Sequence, residues 1–146
     1  MGNTAGWWQA FLFFKYYNQF MDQSEFEKLV EEAVTDLPEA IRQKMKNVAI
    51  IVDENPSREQ LEKVGVRRGD FLLGLYEGTP ETSWGKGFGC NLPDKITIFQ
   101  EPVKRFAKTP EIIKKMVKSV VWHEIAHHFG INEKEVRKLE KKWNLR

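Results

Sequence analysis

The sequence predicts an α+β domain in which a small sheet of three or four strands packs against one central helix and several flanking helices. Two hydrophobic patterns support this. Short runs rich in Val, Ile and Phe indicate strands, whereas apolar residues between positions 110 and 129 recur at intervals of three and four, as in a helix. The 146 residues suit one domain with a hydrophobic core of its own.

The first half of the chain alternates helix and strand signals. Ser24 and Glu27 have the spacing of a capping box, which predicts where the first helix begins. Pro38 and the pair Pro56-Ser57 each favour a helix start. The predicted elements are helices over 24–35, 38–46 and 56–63 and strands over 47–52 and 71–76, the first strand being buried.

The second half contains the longest predicted helix. Residues 77–93 are rich in glycine and form an irregular connection that we consider a candidate flap, and residues 95–100 alternate like an edge strand. Thr109 as N-cap, Pro110 at the first helical position and Glu111 at the positive end of the dipole then open a helix. Gly130 can end that helix in the left-handed conformation, and Asn132 starts a closing helix.

All three histidines lie between positions 123 and 128, in the pattern H-E-x-x-H-H. His123 and His127 are four residues apart, so on a helix both imidazoles lie on one face and can reach one zinc ion. Glu124 is turned about 100° round the helix and can act on a water molecule rather than on the metal. This pattern is typical of zinc peptidases, where the glutamate is the general base. The competing interpretation is a buried helix with hydrogen-bonded histidines.

A third metal ligand is expected, since a catalytic zinc usually has three protein ligands. In the longer zinc-binding motif H-E-x-x-H-x-x-G-x-x-H, the last histidine is the third ligand. Counted from His123, Glu133 occupies that position, and a carboxylate can also bind zinc. Glu135 and Glu140 are the alternatives. Asn132 with Glu135 also has capping-box spacing, so Glu133 can serve the first turn of a helix as well as a metal.

From about residue 24 to 141 the chain resembles a family of small bacterial zincin-like metallopeptidases. The matching stretches are 25–33, 47–52, 72–78, 92–99 and, most specifically, 123–131. The resemblance implies a minimal zincin fold with His123 and His127 as zinc ligands and Glu124 as the base. The family tends to carry aspartate where this chain has Glu133. We accordingly predict that residues 21–146 form the metallopeptidase domain and that residues 1–20 are an extension outside its core.

Composition favours a compact cytoplasmic monomer. The single cysteine, Cys90, excludes an intramolecular disulfide and suits a reducing compartment. The net charge is only +2, and no basic stripe interleaved with aromatics favours nucleic-acid binding.

The aromatic run from Trp7 to Tyr17 is too short to span a bilayer. An extension without catalytic role is our interpretation of this run, and an interfacial membrane anchor is the alternative.

These placements predict a zinc-dependent hydrolase, most simply a peptidase. An extended peptide or protein substrate would pair with the predicted edge strand at Ile96–Phe99. Tyr76 and His128 are candidates for stabilising the oxyanion. Two alternatives stay open: a zinc hydrolase that acts on a non-peptide substrate such as RNA, and a regulatory or interaction module without peptidase activity.

Overall fold

The computed structural model describes residues 21–66, 71–78 and 92–145, together with Gln9 and Leu12. These residues form six helices and three strands, which confirms the predicted α+β class. The helices are α1 (Gln23–Thr35), α2 (Glu39–Lys44), α3 (Arg58–Val64), α4 (Gln100–Phe106), α5 (Pro110–His128) and α6 (Glu133–Lys142), and the strands are β1 (Val48–Asp53), β2 (Gly74–Glu77) and β3 (Asp94–Phe99). Cys90, most of the candidate flap and, apart from Gln9 and Leu12, the predicted extension lie outside the described residues.

The three strands form one mixed sheet in the order β1-β3-β2. β1 runs parallel to β3, with Val48 opposite Asp94 and Asp53 opposite Phe99. β2 runs antiparallel to β3, with Gly74 opposite Ile98 and Glu77 opposite Lys95. Both edges of β3 carry a partner strand. The prediction that residues 95–100 form an edge strand was therefore wrong. Pairing of a substrate along Ile96–Phe99 is wrong for the same reason. Its alternating pattern misled because Thr97 is polar yet buried.

Helix α5 is the centre of the core. Its buried side chains face α1 on one side and the sheet on the other, and all but one of them are aliphatic. They are Ile113, Val117, Val121, Trp122, Ile125 and Ala126. The recurrence of these residues at intervals of three and four produces the buried face that the sequence predicted. The helix that carries the histidine motif is thus fixed by the most buried part of the molecule.

Gly74 allows β2 to lie unusually close to α5. A Cβ at this position would be 2.4 Å from Val120 Cγ1 and 3.2 Å from the Thr97 carbonyl oxygen. Real side chains do not tolerate the first distance, so only glycine permits this approach. The contact matters for function because it brings the backbone of β2 against the motif helix.

Several element boundaries differ from those predicted. The first helix is capped by Asp22, whose carboxylate accepts from the Glu25 N–H, and not by Ser24. β1 lies at an edge of the described sheet, and Val52 is its one residue in the buried class, so it is less buried than predicted. Helix α4 was not predicted, and its first residue, Gln100, had been assigned to the preceding strand. None of the helices in the described part of the chain is long and apolar enough to span a membrane. The cytoplasmic location and the monomeric state stay predictions.

Candidate metal centre

Local chemistry sets both ends of α5. Thr109 caps the first turn by accepting a hydrogen bond from a backbone N–H, and Pro110 is its first residue, as predicted. At the other end Gly130 has a φ of 70°, the left-handed conformation that ends a helix. The Ile131 N–H donates to the Ala126 carbonyl at 2.9 Å, which fixes the turn that follows. This turn decides where α6 begins.

The turn brings Glu133, the first residue of α6, to the two motif histidines. One ligand atom each of His123, His127 and Glu133 lies within 4.8 Å of the other two. His123 Nε2 is 3.8 Å from Glu133 Oε1, and the two imidazole ring centroids are 5.7 Å apart. Among the described residues, this is the group of three acidic or histidine side chains close enough to share a metal ion. The structure therefore brings together the three residues that the sequence predicted as ligands.

This donor set fits zinc. Two imidazole nitrogens and one carboxylate oxygen are a usual set for a catalytic zinc, which keeps its fourth position for water or substrate. Bonds of about 2.0–2.2 Å in a tetrahedral site place the donor atoms roughly 3.3–3.6 Å apart. Small side-chain rotations would bring the three donors from their present separation to that geometry.

Glu133 is held as an ionised carboxylate. The Arg137 Nε lies 3.3 Å from Glu133 Oε1 and donates a hydrogen bond to it. This hydrogen bond is the main reason that the pKa of Glu133 lies below its usual range, with the neighbouring histidines as a smaller cause. The side chain of Asn132 caps the same helix by accepting from the Glu135 N–H at 2.9 Å. Glu133 therefore combines a metal-facing position with a place in the first turn of α6.

The side chain of Glu124 faces β2, and a backbone N–H of that strand holds its carboxylate. The Tyr76 N–H donates to Glu124 Oε2 at 2.9 Å, so this amide points away from β3 and towards α5. Burial raises the pKa of Glu124, while the Tyr76 hydrogen bond and the charges of His127 and His123 oppose that shift. Tyr76 lies on the strand that the close contact at Gly74 places against α5. A carboxylate of this kind can accept a proton at one oxygen while the other stays fixed.

Tyr76, His128 and Asp94 form a second polar cluster next to Glu124. The Tyr76 hydroxyl donates to Asp94 Oδ2 at 2.6 Å, and its ring stacks on His128 with centroids 4.0 Å apart. His128 Nε2 lies 3.9 Å from the same carboxylate oxygen. Burial and, secondly, the Asp94 hydrogen bond raise the pKa of Tyr76. Sequence reasoning did not single out Asp94, and the hydroxyl of Tyr76 is directed to that carboxylate. The oxyanion role predicted for Tyr76 and His128 stays untested.

Glu140 contacts the opposite nitrogen of His123. Its Oε1 lies 2.6 Å from His123 Nδ1, and the carboxylate is fully buried. The alternative ligands therefore have different positions: Glu140 faces the nitrogen that points away from Glu133, and Glu135 is exposed outside the donor group. One sequence signal could have found this contact. Glu140 follows the buried Val136 by four residues, so it lies on the core-facing side of α6, where a carboxylate needs a partner.

The sequence matches one known protein family over most of its length. The profile of a family described as zincin-like metallopeptidase matches residues 45–143. A search of curated proteins found no significant match. The matched stretch includes the whole sheet, the motif helix α5 and all three candidate ligands on α5 and α6. Since it covers most of the chain, the protein belongs to the zincin-like metallopeptidase family.

Proposed function

We propose that the protein is a zinc-dependent peptidase with His123, His127 and Glu133 as metal ligands and Glu124 as general base. The observation that carries the proposal is the position of the anchored Glu124 carboxylate, one residue from His123 and within the electrostatic influence of both motif histidines. A metal-binding group and a partly buried base at one site are the components that hydrolysis of an amide requires.

The protein side chains divide the work between binding and proton transfer. When bound, zinc would polarise the scissile carbonyl and lower the pKa of water towards about 7. Glu124 Oε2 stays fixed by the Tyr76 N–H, which leaves the other oxygen to accept the proton of the attacking water. Because burial raises the pKa of Glu124, its protonated form can then donate to the leaving amine.

The substrate would pair with β2 in place of the predicted β3. β2 is an edge strand in the described sheet, and it is the one in contact with Glu124. The Tyr76 N–H points away from β3 and is taken by Glu124, and by the alternation of a strand the backbone groups of Gly74 face the same edge, where a peptide can pair. An extended peptide that adds there would place its own backbone beside the base.

The test is cleavage of a quenched peptide library by zinc-loaded protein, with each variant checked for metal content. Glu124→Gln is expected to keep one zinc per chain and to lose cleavage by at least about 100-fold, the usual scale for a general base. His127→Ala should lose both. Glu111→Gln, the same change at an exposed position of α5, is the matched control and should retain both.

Two outcomes contradict the proposal. If zinc-loaded wild type cleaves no peptide while binding one ion per chain, the site serves a non-peptide substrate or a binding role. If Glu124→Gln cleaves as fast as Glu111→Gln, Glu124 is not the base.

A further inference from the structure

Helix α6 contributes two carboxylates to the surroundings of one imidazole. Glu133 and Glu140 are seven residues apart, so they lie two turns apart on the same face of the helix. Glu133 Oε1 faces His123 Nε2 at 3.8 Å, and Glu140 Oε1 faces His123 Nδ1 at 2.6 Å. His123 is thus bracketed by α6 at both of its nitrogens.

Burial makes the contact between Glu140 and His123 necessary for stability. Glu140 has no exposed surface, whereas the side chain of Glu133 is 48% exposed. A carboxylate removed from water is strongly unfavourable unless it accepts hydrogen bonds. His123 Nδ1 lies 2.6 Å from Glu140 Oε1, within hydrogen-bond distance, so a proton carried on Nδ1 would meet this carboxylate.

The consequence concerns the tautomer of His123. A neutral imidazole has one N–H and one lone pair, and the partner of one nitrogen decides which nitrogen carries the proton. With the proton on Nδ1 and directed at Glu140, the lone pair lies on Nε2, the atom that faces Glu133. That is the only neutral form in which His123 can bind the metal through Nε2.

We propose that Glu140 is the positioning residue of the metal centre: it holds His123 in the Nδ1–H tautomer and fixes its ring orientation, so that Nε2 is preorganised as a ligand. This inference rests on the proposed zinc site but not on the proposed peptidase chemistry. It also assigns Glu140 a role that excludes direct metal binding, since its nearest imidazole nitrogen is the one opposite the metal-facing atom. Carboxylates in this position also make the imidazole a stronger ligand.

Two readouts test this on the full-length protein. Zinc affinity is measured by competition with a chromophoric chelator, and the His123 tautomer is read from imidazole ¹⁵N chemical shifts in the zinc-free state. Glu140→Leu and Glu140→Met remove the acceptor and replace it with an apolar side chain of similar size. Glu140→Gln retains an acceptor oxygen without the charge. Glu135→Gln, at an exposed position on the same helix, is the matched control.

The apolar variants are expected to bind zinc about 10–100-fold more weakly than wild type, with His123 shifting towards the Nε2–H form. Glu140→Gln should keep the wild-type tautomer and lose less affinity, and Glu135→Gln should change neither readout. The use of two apolar variants and the glutamine variant keeps the test decisive if one of them fails to fold.

The proposal is overturned if a folded apolar variant keeps both the wild-type tautomer and the wild-type zinc affinity. It is also overturned if Glu140→Gln loses as much affinity as Glu133→Gln, because Glu140 would then act as a ligand. Neither readout involves peptide cleavage. A protein that binds zinc through a Glu140-dependent tautomer and cleaves no peptide would therefore refute the proposed function and leave this inference standing.

Discussion

Replacing Gly74 with alanine would force β2 away from α5, because the new methyl group has no room. Its Cβ would lie 2.4 Å from Val120 Cγ1 on α5 and 3.2 Å from the Thr97 carbonyl oxygen on β3. Val120 cannot turn aside easily, since a β-branched side chain on a helix is confined to one preferred rotamer. The φ of Gly74 is not in the left-handed region, so the effect comes from space and not from backbone strain.

The expected change in the free energy of unfolding of Gly74→Ala is the difference between two opposing contributions. Overpacking of a core costs about 1–3 kcal/mol, while replacing glycine by alanine stabilises by about 0.4–1 kcal/mol through the unfolded chain. We therefore expect Gly74→Ala to lower the free energy of unfolding by about 1–2 kcal/mol. Val120→Ala alone should cost about 1 kcal/mol, because it removes two methyl-sized groups from a half-buried position. In the double variant the clash disappears, and its cost should fall below the sum by about 1–2 kcal/mol.

Urea unfolding followed by circular dichroism measures all four proteins of this cycle. Gly78→Ala is the matched control, since a Cβ at Gly78 meets nothing nearer than Asp94 Oδ1 at 3.7 Å. That variant should be as stable as wild type or slightly more stable. The reasoning is refuted if Gly74→Ala matches Gly78→Ala in stability, or if the Gly74 and Val120 changes add to within about 0.3–0.5 kcal/mol, the agreement found for independent sites.

Two further predictions concern zinc and alkaline pH. Zinc at about 100 times its Kd should raise the free energy of unfolding of wild type by about 2.7 kcal/mol. A chelator should therefore lower the thermal midpoint of wild type, whereas the midpoint of His127→Ala should not depend on zinc. An unchanged wild-type midpoint would contradict the metal site. Burial and, secondly, the hydrogen bond to Asp94 raise the pKa of Tyr76 in the folded state, so the stability contributed by its neutral hydroxyl is fully present below the ordinary tyrosine pKa of 10.0 and decreases progressively above it. The stability difference between wild type and Tyr76→Phe, from urea midpoints, should therefore be larger at about pH 8 than at about pH 11, and equal differences would refute this role.

The motif helix and its flanks were predictable because their determinants are local. Thr109, Pro110 and Gly130 set the ends of α5 through contacts within a few residues, and each is found in the predicted role. The third donor was also within reach of sequence, since a fixed turn carries the chain from His127 to Glu133. Short-range geometry of this kind depends on backbone conformation alone.

The remaining features depend on contacts between distant segments. The central place of β3 follows from pairing with residues that are about 20 and 45 positions away, which no local pattern encodes. The anchoring of Glu124 by Tyr76 joins residues 48 positions apart. Helix α1 shows a smaller error of the same origin: Asp22-Glu25 and Ser24-Glu27 have equivalent spacing, and the packing of the buried Met21 and Phe26 favours the earlier start.

Two elements from different parts of the chain contact α5 at the centre, and each controls a different property of it. β2 acts on the base through the Tyr76 N–H, whereas α6 acts on the metal ligand His123 through Glu133 and Glu140. Because these contacts are separate, damage to β2 should affect proton transfer with metal binding intact, and loss of the α6 carboxylates should affect metal binding first. The three strands of the described sheet contribute to this arrangement through one strand, β2, which a glycine holds close to the motif helix.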